Sequence, residues 1–272
     1  MSALTVRDLT FDVTVEGPAD GPAVLLLHGF PQNGREWDAV LPRLHAAGLR
    51  TIVPDQRGYS PGARPDDTAA YAALELTADA VGILDALGIE RAHVVGHDWG
   101  ATVAWFLAGR HPERVATLTA FSVPHPLAFA AAVRGDAEQR ERSQYMYAFR
   151  DVDTAAAGLL ADDAAGLRTS FGGLPHPERY VAPLQAPGAL RAALRWYAAA
   201  PLTDPAAAGR ITVPTTFVWS DGDHAIGRAA AEGCPAHCAG QFAYVELPRV
   251  SHWIPDEAPE ATADAILART GA

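Results

Sequence analysis

The chain has 272 residues, with 32 acidic side chains against 21 basic ones and a formal net charge of −11 at pH 7. That balance argues against nucleic acid or an anionic membrane surface as a partner. Every basic residue is Arg, which excludes Schiff-base lysine chemistry and a lysine-bearing phosphate loop. The length suits one large α/β domain carrying an insertion.

The N-terminus, Met1 to Arg7, lacks a charged segment followed by an apolar one and reads as no signal peptide; no apolar run reaches the length of a membrane span. The expected location is therefore cytoplasmic. Residues 4 to 16 alternate apolar and polar and break at Gly17-Pro18, as two edge strands of a hairpin would. Ala23 to Leu27 is an apolar strand ending at His28-Gly29-Phe30-Pro31. Trp37, Val40, Leu41 and Leu44 fall at helical spacing, with Gly48 past the end. Thr51 to Pro54 is the next strand and leads into Asp55-Gln56-Arg57-Gly58-Tyr59-Ser60. Leu74, Ala78, Val81 and Leu84 then mark a helix closed by Gly88.

The next stretch, Ala92 to Ala101, carries the chemistry. An apolar strand ending at Val95 meets a helix with Val103, Phe106 and Leu107 on one face, stopped by His111-Pro112. Between them lies Gly96-His97-Asp98-Trp99-Gly100, a sharp turn that thrusts its middle residue out above a sheet. Serine usually occupies that position; here it is Asp98. A carboxylate needs no base to become a nucleophile. It is too weak to attack amides usefully, but it can displace a leaving group from an sp³ carbon and form an alkyl-enzyme ester. Water must then cleave that ester, and this step needs a base. The turn points to an electrophilic carbon in an epoxide or an alkyl halide.

Val115 to Phe121 is a further strand, after which alternation lapses. From about Pro124 to Arg210 the chain is Ala-rich and helical in pattern; strands resume at Val213 to Trp219 and Phe242 to Leu247, and a last helix runs from about Pro259 to Arg269. The fold class is therefore α/β: a mostly parallel twisted sheet with helices on both faces and a helical lid inserted after the sixth strand. The expected divisions are a core at 1–123, a lid at 124–210 and a second core segment at 211–272. Cys234 and Cys238 flank His237 without the paired Cys-x-x-Cys spacing or a fourth ligand, so they read as free thiols and no metal is expected.

Taken together, Gly-His-Asp-Trp-Gly, His-Gly-Phe-Pro and Asp-Gln-Arg-Gly-Tyr-Ser resemble the α/β-hydrolases of the epoxide hydrolase and haloalkane dehalogenase branch. The resemblance extends over essentially the whole chain. It implies the order nucleophile, acid, histidine, which places the base at His252, just after the last strand. The orienting acid falls at Asp223; Asp221 is its rival, with a turn-forming role beside Gly222. Backbone N–H groups of Phe30 and Trp99 would form the oxyanion hole, and the family suggests a cis bond between Phe30 and Pro31. Two lid tyrosines protonate the leaving oxygen in epoxide hydrolases. The matching segments put them at Tyr145, with Tyr147 as rival, and at Tyr197. Trp37, Tyr147, Trp196 and Trp253 are expected to line the substrate pocket.

These readings imply a cofactor-independent epoxide hydrolase acting on a small molecule, as a monomer or homodimer. A haloalkane or haloacid dehalogenase with the same triad is the runner-up. Trp99 would give its indole N–H to halide, and Trp196 could replace the Asn that such enzymes often carry where Phe30 stands. A silent ligand-binding protein on this fold is a third reading, and three chemically competent triad residues weigh against it.

Overall fold

The computed structural model describes residues 2–272. Eight strands form one sheet: β1 (Ser2–Val6), β2 (Leu9–Glu16), β3 (Ala23–Leu27), β4 (Arg50–Pro54), β5 (Ala92–His97), β6 (Val115–Phe121), β7 (Thr215–Ser220) and β8 (Phe242–Leu247). Their spatial order is β1-β2-β4-β3-β5-β6-β7-β8. β1 and β2 form the expected antiparallel hairpin, β2 pairs antiparallel with β4, and every other pairing is parallel. The inner parallel strands are buried on both faces, which is why β3 and β5 read as continuous apolar runs. Leu25, Leu27 and Val94 point into one core, and Val24, Leu26 and Val95 into the other.

Helices α1 (Leu41–Ala46), α2 (Ala73–Ala86) and α3 (Trp99–Arg110) lie between the first strands. The expected helix from Trp37 through Leu44 is broken. A 3₁₀ turn over Gly34–Trp37 precedes α1, which restarts with Pro42 in its first turn. Proline has no N–H to give and its ring crowds the carbonyl four residues back, so a continuous helix cannot pass it. In α2 the expected face is met only in part, with Leu84 buried and Val81 packed against the core. Leu76, Ala80 and Ile83 face inward while Leu74 is exposed. Asp79 is drawn inside on that face by Arg57, whose Nη2 lies 2.6 Å from its carboxylate, a polar demand that apolar periodicity does not register.

Between β6 and β7 stand six helices: α4 (Pro126–Gly135), α5 (Ala137–Arg142), α6 (Gln144–Ala148), α7 (Val152–Ser170), α8 (Glu178–Leu184) and α9 (Ala189–Ala199). α7 is interrupted at Ala161–Ala164, where three consecutive non-glycine residues take positive φ. α10 (Arg228–Glu232), α11 (Ile254–Glu257) and α12 (Pro259–Thr270) complete the chain. The helical insertion shares its apolar core with α2 and α3, whereas α1 and α12 pack on the opposite face of the sheet. Among the described residues no helix is long and apolar enough to cross a membrane.

Candidate active site

Asp98 follows β5 directly and takes φ 51° and ψ −121°, an unfavourable backbone conformation held by its surroundings. The flanking glycines make the turn possible. A Cβ on Gly96 would strike the Gly100 carbonyl, and one on Gly100 would strike the carbonyl of Leu27 on the neighbouring strand. Gly29 has a matching role across the site, because a Cβ there would collide with the Asp98 side chain.

Three loops at the C-terminal end of the sheet converge on Asp98. Phe30, reached through a cis bond to Pro31, donates its backbone N–H to Asp98 Oδ1 at 2.7 Å. His252, after β8, has Nε2 3.3 Å from Asp98 Oδ2. Its Nδ1 lies 2.9 and 3.0 Å from the two oxygens of Asp223, after β7. Asp223 Oδ1 also accepts N–H bonds from Ala225 and Ile226 at 2.8 and 3.0 Å. Asp221 lies apart from the histidine and accepts from the Arg249 backbone in an exposed turn.

Burial opposes charge on the imidazole, but the charge and hydrogen bond of Asp223, reinforced by Asp98, outweigh it and raise His252 to about 10. Burial likewise pushes Asp223 up, and the charge and hydrogen bond of His252, with the Ile226 and Ala225 N–H groups, bring it below its ordinary value.

Tyr145 and Tyr197 border the same space, with ring centroids 6.0 Å apart. Burial raises both phenols; Asp98 adds to the shift of Tyr145, and Tyr145 followed by Asp98 to that of Tyr197. Tyr145 is 37 % exposed along its open cavity edge, whereas Tyr197 is 2 % exposed. Tyr147 turns outward, 53 % exposed, with the Arg150 guanidinium 4.5 Å over its ring.

Two cavities meet at this centre. One of about 440 Å³ is walled by Phe106, Val123, Phe129 and Met146. The other, about 370 Å³, is walled by Phe30, Phe149 and Trp253. Asp98, Tyr145, Tyr197 and His252 line both.

Trp253 thus borders the smaller cavity, and Trp99, Trp196 and Tyr147 the larger. Trp37 does not belong to the pocket. It is fully buried in the core on the far face of the sheet, against Phe121 and together with Val40, Leu41 and Leu44, the other members of its apolar stripe. The indole N–H of Trp196 is already given to the Arg57 carbonyl at 2.8 Å, so it is not free to hold a halide. Cys234 is buried, Cys238 half-buried, and both are free thiols.

Sequence reasoning missed a buried pair behind the base. His97 Nε2 bonds the His252 carbonyl at 2.9 Å, and its Nδ1 lies 3.2 Å from Glu36, which is fully buried and raised by that burial. A histidine beside the nucleophile at the end of a buried strand is a signal that such a partner is needed. Asp256 was missed as well. It sits in α11 and gathers Gln32, Arg179 and Tyr180, so it joins the loop after Pro31 to α8 of the insertion.

The chain belongs to the α/β-hydrolase fold family, whose model matches residues 22–259. Within that family it falls in the epoxide hydrolase branch. It is 34 % identical to an AB hydrolase superfamily protein of Bacillus subtilis, over 97 % of this chain and 95 % of that one. It is 31 % identical to epoxide hydrolase A of Mycobacterium tuberculosis, over 94 % and 92 %. Among solved structures, epoxide hydrolase A of Mycobacterium thermoresistibile superposes with a TM-score of 0.85 at 28 % identity, covering 98 % of this chain and 96 % of that one.

Proposed function

We propose that the protein is an epoxide hydrolase that opens an epoxide to a vicinal diol through an ester on Asp98. The observation that carries this reading is the shared cavity: two neighbouring phenols line the same space as the carboxylate, where a leaving oxygen needs a proton. A halide needs only N–H donors, and the indole of Trp196 is committed elsewhere. The epoxide hydrolase names of the relatives agree with the reading.

In the first half-reaction Asp98 Oδ2 bonds a ring carbon as the ring C–O bond breaks, and Tyr145 or Tyr197 gives its proton to the departing oxygen. Oδ1 stays on the Phe30 N–H. Alkylation cancels the Asp98 charge, and this single change acts on both sides of the site. It removes one cause of the raised tyrosine values, so the phenols become better acids as the alkoxide forms. It also removes one of the two anions holding the proton on His252, so the imidazolium sheds it to solvent and becomes a base.

In the second half-reaction His252 Nε2 takes a proton from water, and the water oxygen bonds Asp98 Cγ. The oxyanion on Oδ1 is held by the N–H groups of Phe30 and Trp99. Collapse breaks the ester, the alkoxide takes the proton from His252, the water's second proton returns through solvent to the tyrosine, and His252 regains its own proton from solvent as the Asp98 charge is restored. The helical insertion acts as the lid over this centre. Its two apolar cavities suit an epoxide with apolar substituents on either side of the ring.

The test is a paired assay of styrene oxide and a short 1-haloalkane with purified protein. The expected result is diol formation without halide release. Halide release without diol formation would assign the dehalogenase reaction instead.

A further inference from the structure

Asp223 stands in an irregular loop between β7 and α10, and sheet hydrogen bonding ends at Ser220. Its hold on His252 therefore depends on what fixes residues 223–227. Part of the answer is internal: the Ala225 and Ile226 N–H groups turn back onto Asp223 Oδ1, and Trp219 in β7 donates its indole N–H to the Ile226 carbonyl at 3.0 Å. The Asp223 N–H also closes on the Ser220 carbonyl at 3.1 Å, and the Gly227 carbonyl accepts from the Ala230 N–H; further bonds come from α5, in the helical insertion.

Gln139 is fully buried. Its Nε2 donates to the Ala225 carbonyl at 2.9 Å and to Ser143 Oγ at 3.0 Å, and its Oε1 accepts from the Gly227 N–H at 2.7 Å. Both amide hydrogens and the carbonyl are thus engaged, which leaves the side chain no freedom to turn. One helical turn later Arg142 donates to the Asp223 carbonyl, its guanidinium held in place by Glu138. Gln139 brackets the two residues whose N–H groups orient the carboxylate, and Arg142 fixes the carboxylate's own peptide. Nothing in the charged segment Ala-Glu-Gln-Arg-Glu-Arg marks an inward-facing amide; its packing does.

We infer that Gln139, assisted by Arg142, is a positioning residue for the reaction: it holds the acid loop so that Asp223 stays bidentate on His252. The role of that relay in ester hydrolysis rests on the function proposed above; the placement of the imidazole's partner does not. The titratable groups around the imidazole are Asp98, Asp223 and the rings of His97 and His224, and the Trp253 ring packs against it at 5.1 Å.

Gln139→Met keeps the length and removes both donors and the acceptor. The experiment combines single-turnover rate constants, which unfolded molecules do not enter, with an NMR titration of the His252 ring nitrogens. For Gln139→Met the expected result is a hydrolysis rate constant down about ten- to hundred-fold, the cost of a small misplacement in a catalytic site. The His252 titration should move down from its wild-type position, because its carboxylate partner is no longer fixed. Arg142→Met removes a partly exposed side chain and should shift both readouts the same way by less, which keeps the test available if Gln139→Met folds poorly. Wild-type rate constants and titration in both variants would overturn the inference. So would a drop only in the amount of folded enzyme, with rate constants and titration unchanged, because Gln139 would then do no more than stabilise the fold. If the wild type opens no epoxide but the titration still moves, the proposed function fails and the positioning role stands.

Discussion

The sheet and the helical insertion contribute differently to one site. Strands β3, β5, β6 and β7 bury apolar side chains on both faces and present Asp98, Phe30 and, through the loops after β7 and β8, Asp223 and His252. The insertion supplies the two tyrosines. It shares apolar core with α2 and α3, but it is also tied to the catalytic loops by polar contacts. These are Gln139 and Arg142 on the acid loop, Tyr180 and Arg179 on Asp256, and Trp196 on the Arg57 carbonyl. The scaffold is made by burial, which is non-directional, and the alignment of the two halves by hydrogen bonds, which are directional. The nucleophile and base belong to the first part and the two proton-donating tyrosines to the second, so alkylation draws on both parts, whereas hydrolysis draws chiefly on the base.

The largest effect is expected from the sheet side. Asp98→Asn replaces the anion with a neutral amide and should cost roughly 10⁴-fold or more in turnover, as loss of a covalent catalyst does. Freshly purified variant assayed on an epoxide checks this, and deamidation back to Asp should appear as slow recovery of activity. On the insertion side, the double change Tyr145→Phe with Tyr197→Phe should slow alkylation on the order of 10²–10⁴-fold, the range of general acid catalysis. Either tyrosine change alone should cost about ten- to hundred-fold, because one donor to the developing alkoxide remains. Stopped-flow alkylation rates rank these variants, and a double mutant with wild-type alkylation would remove the insertion from the chemistry.

A smaller effect concerns stability. The folded-state value of His252 is raised to about 10 from an ordinary value near 6.5. Its charge cluster therefore stabilises the fold fully below the ordinary value, and that contribution is lost as pH rises toward and through about 10. Thermal unfolding of the wild type and His252→Gln across this range should show the wild-type advantage shrinking with rising pH. A constant gap would mean that the imidazole carries no proton between Asp98 and Asp223.

The two regions also differed in how far the sequence revealed them. The strands, the turn at Asp98 and the order of the triad were legible because apolar runs and a glycine-framed turn are local signals. Tyr145 and Tyr197 came from family-matched segments rather than from any periodicity. Trp37 was misplaced because it shares an apolar stripe with Val40, Leu41 and Leu44 that packs in the far core, and the face of α2 was misread at Leu74, while the Arg57–Asp79 pair brings a polar side chain inside. Glu36, Asp256 and Gln139 were invisible for a common reason. A polar side chain looks solvated until a partner from a distant segment is found for it, and those partners lie 61, 224 and 86 residues away.

The central claim is that water attacks Asp98 rather than the epoxide. It is tested most directly by a single turnover in H₂¹⁸O, with enzyme in excess over styrene oxide. The diol should leave with ordinary oxygen taken from Asp98, and the heavy isotope should be found by mass spectrometry in the peptide that carries Asp98. Heavy oxygen in the diol of that first turnover, with an unlabelled Asp98 peptide, would contradict the ester and make His252 a base that delivers water straight to the ring.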